Sequence, residues 1–387
     1  MIDFDRVVVD TQKLISIDSQ NPGPLEAECA DWVTERLRGI GLKPVRMEVE
    51  PGRDNVMVTV PGVDPLAPRL VILGHMDTVP IGEGWTYPPL GGVIDDDRIY
   101  GRGACDMKAG LALGIGLVEA LVQTNTTPRS DVVLIATVDE EAPGMLGAHQ
   151  LVADGIVRAD DQVLAPEPTG MRLRQRQMGL RWAKLIVHGR MAHAGRAHLG
   201  IDANHVLAKI VDRLKTTFTA LPFEDEILGR SRFTCGTIHG GVATNVVPGR
   251  AEAELDLRIV PPLVPEDAVD MLTRTAAQTI AEHPGARFDV ELLGARRPPV
   301  GAHDDSQIIR GLRAAYAQHA GKQPVVGGAD GHEAYTDASM VAALTGSESC
   351  TVMGPGATDQ AHTADEFVPL ADIELGSKLL WSLVQDW

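Results

Sequence analysis

Apolar residues recur at helical spacing over residues 7–15 and again over 26–40, separated by the turn-rich segment Asp18-Ser19-Gln20-Asn21-Pro22-Gly23-Pro24. Two helices therefore open the chain. Short apolar runs bounded by glycine and proline follow at 55–60 and 70–73, with the branched content of buried strands. Leu111, Ile115, Val118 and Val122 stand three or four residues apart and predict a helix with one apolar face. The nearly all-apolar run 132–138 then reads as another strand. Strand, helix, strand in this order predicts an α/β fold, a mostly parallel sheet covered by helices.

Beyond Gly179 the texture changes. Residues 182–187 and 288–292 read as strands, 203–214 and 265–280 as helices, and 252–259 alternates polar and apolar strictly. Strands with one wet face predict a smaller α+β unit over residues 180–296, inserted between the two halves, 1–179 and 297–387, of the first domain. No internal repeat or low-complexity tract interrupts this plan.

A chain of 387 residues exceeds one ordinary core, in keeping with two domains. Its 44% apolar and 23% charged residues are those of a globular protein, and no segment nears the roughly 20 apolar residues of a membrane span. The first eleven residues read as an acidic amphipathic start rather than a signal peptide, so a cytoplasmic location is expected. Fifty-three acids against 35 bases give a formal charge of −18, which opposes nucleic acid and anionic membranes and favours cations. Cys29, Cys105, Cys235 and Cys350 show no paired spacing, which speaks against disulfides and thiolate metal clusters.

Candidate chemistry gathers where apolar runs end. The run 71–73 leads into Gly74-His75-Met76-Asp77, and in an extended chain Asp77 lies on the same side as His75, able to fix its tautomer. Twelve histidines and this acid content give about one or two His-x-acid matches by chance. The second match, His303 and Asp305, follows no buried strand and is assigned to the surface. Asp106 precedes the helix near Ala109, where an N-cap is the ordinary use and a metal bridge the functional one. The run 132–138 ends in Asp139-Glu140-Glu141; neighbouring side chains diverge there, so one carboxylate can bind a metal while the other faces substrate. Glu167 sits between two prolines after the run 162–165, and His362 follows a Gly/Pro loop. Two imidazoles and three carboxylates form a donor set suited to zinc, with cobalt or manganese as alternatives.

These motifs together, GHMDTVP, YGRGACDMK, DEE, PEPT, IHGGVATNVVP and GPGATDQAHTADEF, resemble the acetylornithine deacetylase, succinyl-diaminopimelate desuccinylase and carboxypeptidase G family of dinuclear zinc hydrolases over nearly the whole chain. The resemblance implies two divalent ions per subunit, with Asp106 bridging, His75 and Glu167 completing one site, and Glu141 and His362 the other. It implies Glu140 as general base, and Asp77, beside His75, is counted with Glu140 and His193 among the catalytic residues. The implied fold is a catalytic α/β domain, helices on both sheet faces, carrying an inserted ferredoxin-like lid and dimerisation domain. In a homodimer, His193 would act across the interface, and Asn245, Arg258 and Gly356 would contact substrate; Arg258 shares its strand face with Glu252, Glu254 and Asp256, so an ion pair competes for it. Ala109 replaces the usual glycine after Asp-Met-Lys, and Glu167 rather than aspartate matches the deacylase and carboxypeptidase branches. The substrate expected is an N-acyl amino acid. A carboxypeptidase acting on N-blocked substrates, a dipeptidase and a catalytically dead binding protein are the rivals.

Overall fold

The computed structural model of the chain describes residues 1–23, 25–327, 335–385 and 387. They divide into two compact units, one made of Met1–Gln177 with Val300–Trp387 and the other of Met178–Pro299. The first unit begins with helices α1 (Phe4–Ile15) and α2 (Ala27–Gly39) and strands β1 (Val45–Glu50), β2 (Arg53–Val60) and β3 (Leu70–His75). Helix α3 (Ala109–Gln123), strand β4 (Val132–Thr137), helix α4 (Leu146–Ala153) and strand β5 (Gln162–Pro168) follow. The second unit supplies β6 (Gly179–His188), α5 (Ala203–Thr219), β7 (Arg232–Gly240), β8 (Arg250–Ile259), α6 (Pro265–Ala281) and β9 (Arg287–Arg297). The chain then returns to the first unit with α7 (Gln307–Ala320), α8 (Asp337–Thr345), β10 (Cys350–Gly354) and α9 (Leu370–Gln385).

The first unit's main sheet runs β1-β2-β4-β3-β5-β10. Strands β4, β3, β5 and β10 are parallel to one another, and the hairpin β1-β2 closes one edge, its β2 pairing antiparallel with β4. Alternation assigns the two faces. Leu70, Ile72, Leu134 and Leu164 pack with α1, α2, α3, α7 and α9, whereas Val71, Leu73, Ile135 and Val163 pack with α4 and α8. Each fully buried aliphatic side chain contributes about 1.5–3 kcal/mol, so helices on both faces are what these doubly apolar strands require.

Helix α3 departs from the one-faced helix its spacing predicts. Every residue from Ala109 to Ala120 is buried, because the helix lies under the sheet and is covered by α1 and α9. Its charged member, Glu119, is ion-paired to Arg36. The first turn approaches the sheet so closely that a Cβ on Gly110 would lie 2.1 Å from the Pro166 carbonyl oxygen. A Cβ on Gly354 would meet the same carbonyl group from strand β10, at 2.2 Å. The backbone immediately before Glu167 is thus clamped between two glycines.

The second unit is a βαββαβ arrangement with sheet order β7-β8-β6-β9, every neighbour antiparallel. This is the ferredoxin-like split βαβ. Helices α5 and α6 cover one face through Leu207, Ile210, Leu272 and Ala276. The other face is polar and laced by ion pairs such as Lys184 with Glu252 at 3.1 Å. Among the described residues no helix is long and apolar enough to cross a membrane. All four cysteines are free, three of them buried.

Gly110→Ala should cost about 1–3 kcal/mol through overpacking against Pro166, read as a fall in the urea midpoint at unchanged slope. A variant as stable as the parent chain would contradict the clamp.

Candidate metal centre

Parallel strands point their carboxyl ends the same way, and open α/β sheets build sites beyond that edge. His75 is the last residue of β3, Asp139-Glu140-Glu141 come one residue after the end of β4, and Glu167 is the penultimate residue of β5. Glu167 lies inside the strand, so pairing to β10 holds it as well as the flanking prolines. The loop after β10 carries His362 in a left-handed conformation, φ 64°. Asp106 is not the N-cap of α3, a position held by Lys108; it lies in the irregular turn before the helix.

Two triads result. His75 Nε2 lies 3.1 Å from Asp106 Oδ1 and 3.8 Å from Glu167 Oε2. His362 Nε2 lies 3.3 Å from the other Asp106 oxygen, Oδ2, and 3.1 Å from Glu141 Oε2. Within each triad all donor atoms fall within 4.8 Å of one another. Ligands held about 2.1 Å from a tetrahedral ion sit about 3.4 Å apart, so both triads fit a divalent cation, with Asp106 offering one oxygen to each.

The electrostatics point the same way. Burial pushes the Glu167 carboxyl well above the ordinary carboxylate range; His75 opposes the shift, and the charges of Asp106, Asp337 and Glu141 add to it. Burial likewise raises Glu140, against His75 and with Glu167 and Glu141. Burial also works to raise Asp106, but hydrogen bonds from His362 and His75 win and hold its carboxyl below the usual range. Those two imidazoles are the positive partners these acids feel most, leaving an excess of negative charge that a cation pair would neutralise.

Support comes from behind. His75 Nδ1 donates to the backbone carbonyl of Asp77 at 2.9 Å, leaving Nε2 for the centre. The Asp77 carboxylate lies farther from that ring nitrogen, at 3.6 Å, so the tautomer is set by the carbonyl rather than, as expected, by the side chain. That carboxylate instead accepts the amide N–H groups of Glu140 and Glu141, each at 3.2 Å, and the side-chain amide of Asn21 at 3.0 Å. Asn21 also donates to Asp139, which Arg53 and the buried Glu26 tie into one network. The sequence reading missed this layer because Asn21, Glu26 and Arg53 stand far from the motifs; the turn-rich segment around Asn21 was its one visible trace. It also missed Asp337, at the start of α8, whose carboxyl burial pushes up to about 7.

The remaining candidates fare differently. His193 and Asn245 lie together in the second unit, where Ala194 N donates to the Asn245 carbonyl at 2.9 Å and both side chains are exposed. Arg258 is engaged by Asp256, Nε to Oδ1 at 2.9 Å, so the competing ion pair is the one observed. Gly356 offers no free amide to a substrate, since its N–H donates to Asp372 at 3.1 Å. A Cβ there would lie 2.3 Å from that of Cys105, which makes this glycine a packing position. His303 is exposed, as its surface assignment requires.

Hydrogen bonds to Asp106 and Glu141 push the His362 imidazole up to about 10, so it carries a proton at neutral pH when no metal is bound. Metal binding must displace that proton. Zinc or cobalt affinity, measured calorimetrically in buffers of different ionisation enthalpy, should rise with pH and be accompanied by proton release. Metal at one hundred times its dissociation constant should stabilise the fold by about 2.7 kcal/mol. A melting temperature indifferent to both chelator and added metal would contradict the site.

Residues 71–386 match Peptidase family M20/M25/M40. An acetylornithine deacetylase from Proteus mirabilis is 27% identical over 398 aligned residues, covering 100% of this chain and 96% of its own. A succinyl-diaminopimelate desuccinylase from Gluconacetobacter diazotrophicus is 30% identical, covering 88% and 87%. A tripeptidase from Staphylococcus aureus shares the fold with TM-score 0.82 at 22% identity, covering 100% of this chain and 99% of its own. A metallo-carboxypeptidase from Sulfolobus solfataricus shares it with TM-score 0.79 at 19%, covering 98% and 99%. The chain belongs to the M20/M25/M40 peptidase family and is a hydrolase of amide bonds.

Proposed function

We propose that the chain is a dinuclear metal-dependent amidohydrolase that removes the acyl group from an N-acyl amino acid, acting in the cytoplasm on a small soluble substrate. The observation that carries this reading is the pair of triads sharing Asp106, with Glu140 left outside both. Bound divalent cations, zinc foremost and cobalt or manganese as alternatives, supply the positive charge that polarises a scissile carbonyl and acidifies water.

The chain's own groups do the rest. Glu140 accepts the proton of the attacking water and returns it to the leaving amine, being the carboxylate of the cluster that belongs to neither triad. Asp77 aims Glu140 by holding its backbone amide. The chain assembles as a homodimer in which the partner subunit's His193, together with Asn245, donates hydrogen bonds to the developing oxyanion. Arg258, released from Asp256, would meet the substrate carboxylate. The acetylornithine deacetylase and desuccinylase relatives favour an acyl amino acid over a peptide.

Glu140→Gln should bind both metals and lose turnover by roughly the 100- to 10,000-fold typical of a lost general base; full activity would sink the role. A panel of N-acetyl, N-succinyl and N-aroyl amino acids beside dipeptides should be cleaved among the acyl amino acids. Cleavage of dipeptides alone would overturn the deacylase reading, and preference for N-blocked glutamate-like substrates would favour the carboxypeptidase. Mixing inactive Glu140→Gln with inactive His193→Ala protein should restore activity through hybrid dimers. No restoration, with hybrids shown to form, would place His193 outside the partner's site.

A further inference from the structure

One buried ion pair in the first unit takes no part in the chemistry above, yet touches or adjoins three of the segments that carry it, those of His75, Asp106 and His362. Glu366 is fully buried and Arg102 is 2% exposed. Arg102 Nη1 donates to Glu366 Oε2 at 2.6 Å. The other oxygen, Oε1, accepts two consecutive backbone N–H groups, that of Cys105 at 3.0 Å and that of Asp106 at 3.2 Å. The Glu366 carbonyl accepts the amide of Gly101 at 2.9 Å, so the turn is gripped at both ends. From the opposite side, Arg102 Nη2 donates to the carbonyls of Pro80 and Ile81, at 3.3 and 3.1 Å, in the segment that leaves His75.

We propose that the Arg102–Glu366 pair is the positioning element of the metal centre, setting the spacing of His75, Asp106 and His362 by holding their three chain segments to one another. Glu366 stands four residues after His362, and the amide it grips at Asp106 belongs to the residue whose two oxygens serve both triads. Two N–H groups converging on one carboxylate oxygen fix the backbone on either side, and hence the direction in which the Asp106 side chain leaves it. A buried ion pair is weak evidence of stabilisation in itself, since desolvation offsets much of the attraction. What it supplies here is geometry, and a metal site loses affinity when its ligands are misplaced by a fraction of an ångström. The inference rests on the dinuclear reading.

The test uses the full chain loaded with cobalt, reading stoichiometry by dialysis and elemental analysis and ligand geometry by the visible d–d spectrum. The wild type, Glu366→Gln and Glu366→Asp are compared with Asp161→Asn, which breaks the pair of half-buried Arg69 with buried Asp161, 2.8 Å from Nε to Oδ1, near the other end of β3. Glu366→Gln should weaken cobalt binding by about 10- to 100-fold and alter the spectrum. Glu366→Asp should recover part of both, and it carries the test in the event that Glu366→Gln does not fold. Asp161→Asn should melt earlier yet bind cobalt like the wild type. Wild-type binding of both ions within twofold in the Glu366 variants, or an equal loss in Asp161→Asn, would overturn the positioning role. A wild type that binds fewer than two ions would instead remove the dinuclear reading itself.

Discussion

Carboxylates that repel one another are held together at one edge of the parallel sheet, and much of the surrounding structure keeps them there. Two unit charges about 4 Å apart in a partly buried setting interact by about 4 kcal/mol, against a net fold stability of about 5–15 kcal/mol. Asp106, Glu140, Glu141 and Glu167 therefore cannot share this space as bare anions. Burial and mutual repulsion push the Glu140 and Glu167 carboxyls up toward the protonated form, and cations would offset the same repulsion. The two triads meeting at Asp106 are placed to hold such cations, with the charge of the cluster concentrated where they would sit.

Holding such a cluster takes a rigid frame. Strands β3, β4 and β5 are buried on both faces, so the residues at their ends inherit the precision of the core. Behind them Asp77, itself buried, spends its carboxylate on the amides of Glu140 and Glu141, and Asn21, Asp139, Arg53 and Glu26 continue the network to α2 and β2. In front, the Arg102–Glu366 pair joins the turn of Asp106 to the loop of His362. The glycines at 110 and 354 let the backbone of Pro166 pass between helix and strand.

Much of this was legible along the chain. Apolar runs ending in His75, Glu140-Glu141 and Glu167 announced parallel strands with chemistry at their carboxyl ends, because burial on both faces and a polar terminus leave a clear local trace. Helix α3 was harder: its i, i+3, i+4 pattern suggested one apolar face, but glycines and alanines fill the rest, and small residues do not reveal whether water or another helix lies outside. Glu26, Arg53 and the pairing of Glu366 were hidden for another reason. A charged residue reads as surface, even inside a motif, until long-range folding supplies its partner, and the partner of Glu366 lies 264 positions away. Gly356 and Arg258 show the converse: a motif match points to substrate contact, whereas the fold also gives each a structural partner, Cys105 packed against the glycine and Asp256 paired with the arginine.

The shared carboxylate is the feature from which the rest follows, and electron paramagnetic resonance of the chain loaded with two equivalents of manganese(II) tests it directly. Ions bridged by Asp106 should lie about 3.5–4 Å apart and give an exchange-coupled spectrum, distinct from that of the one-equivalent sample. Two independent manganese signals, or saturation at a single ion per chain, would contradict a dinuclear centre built on Asp106.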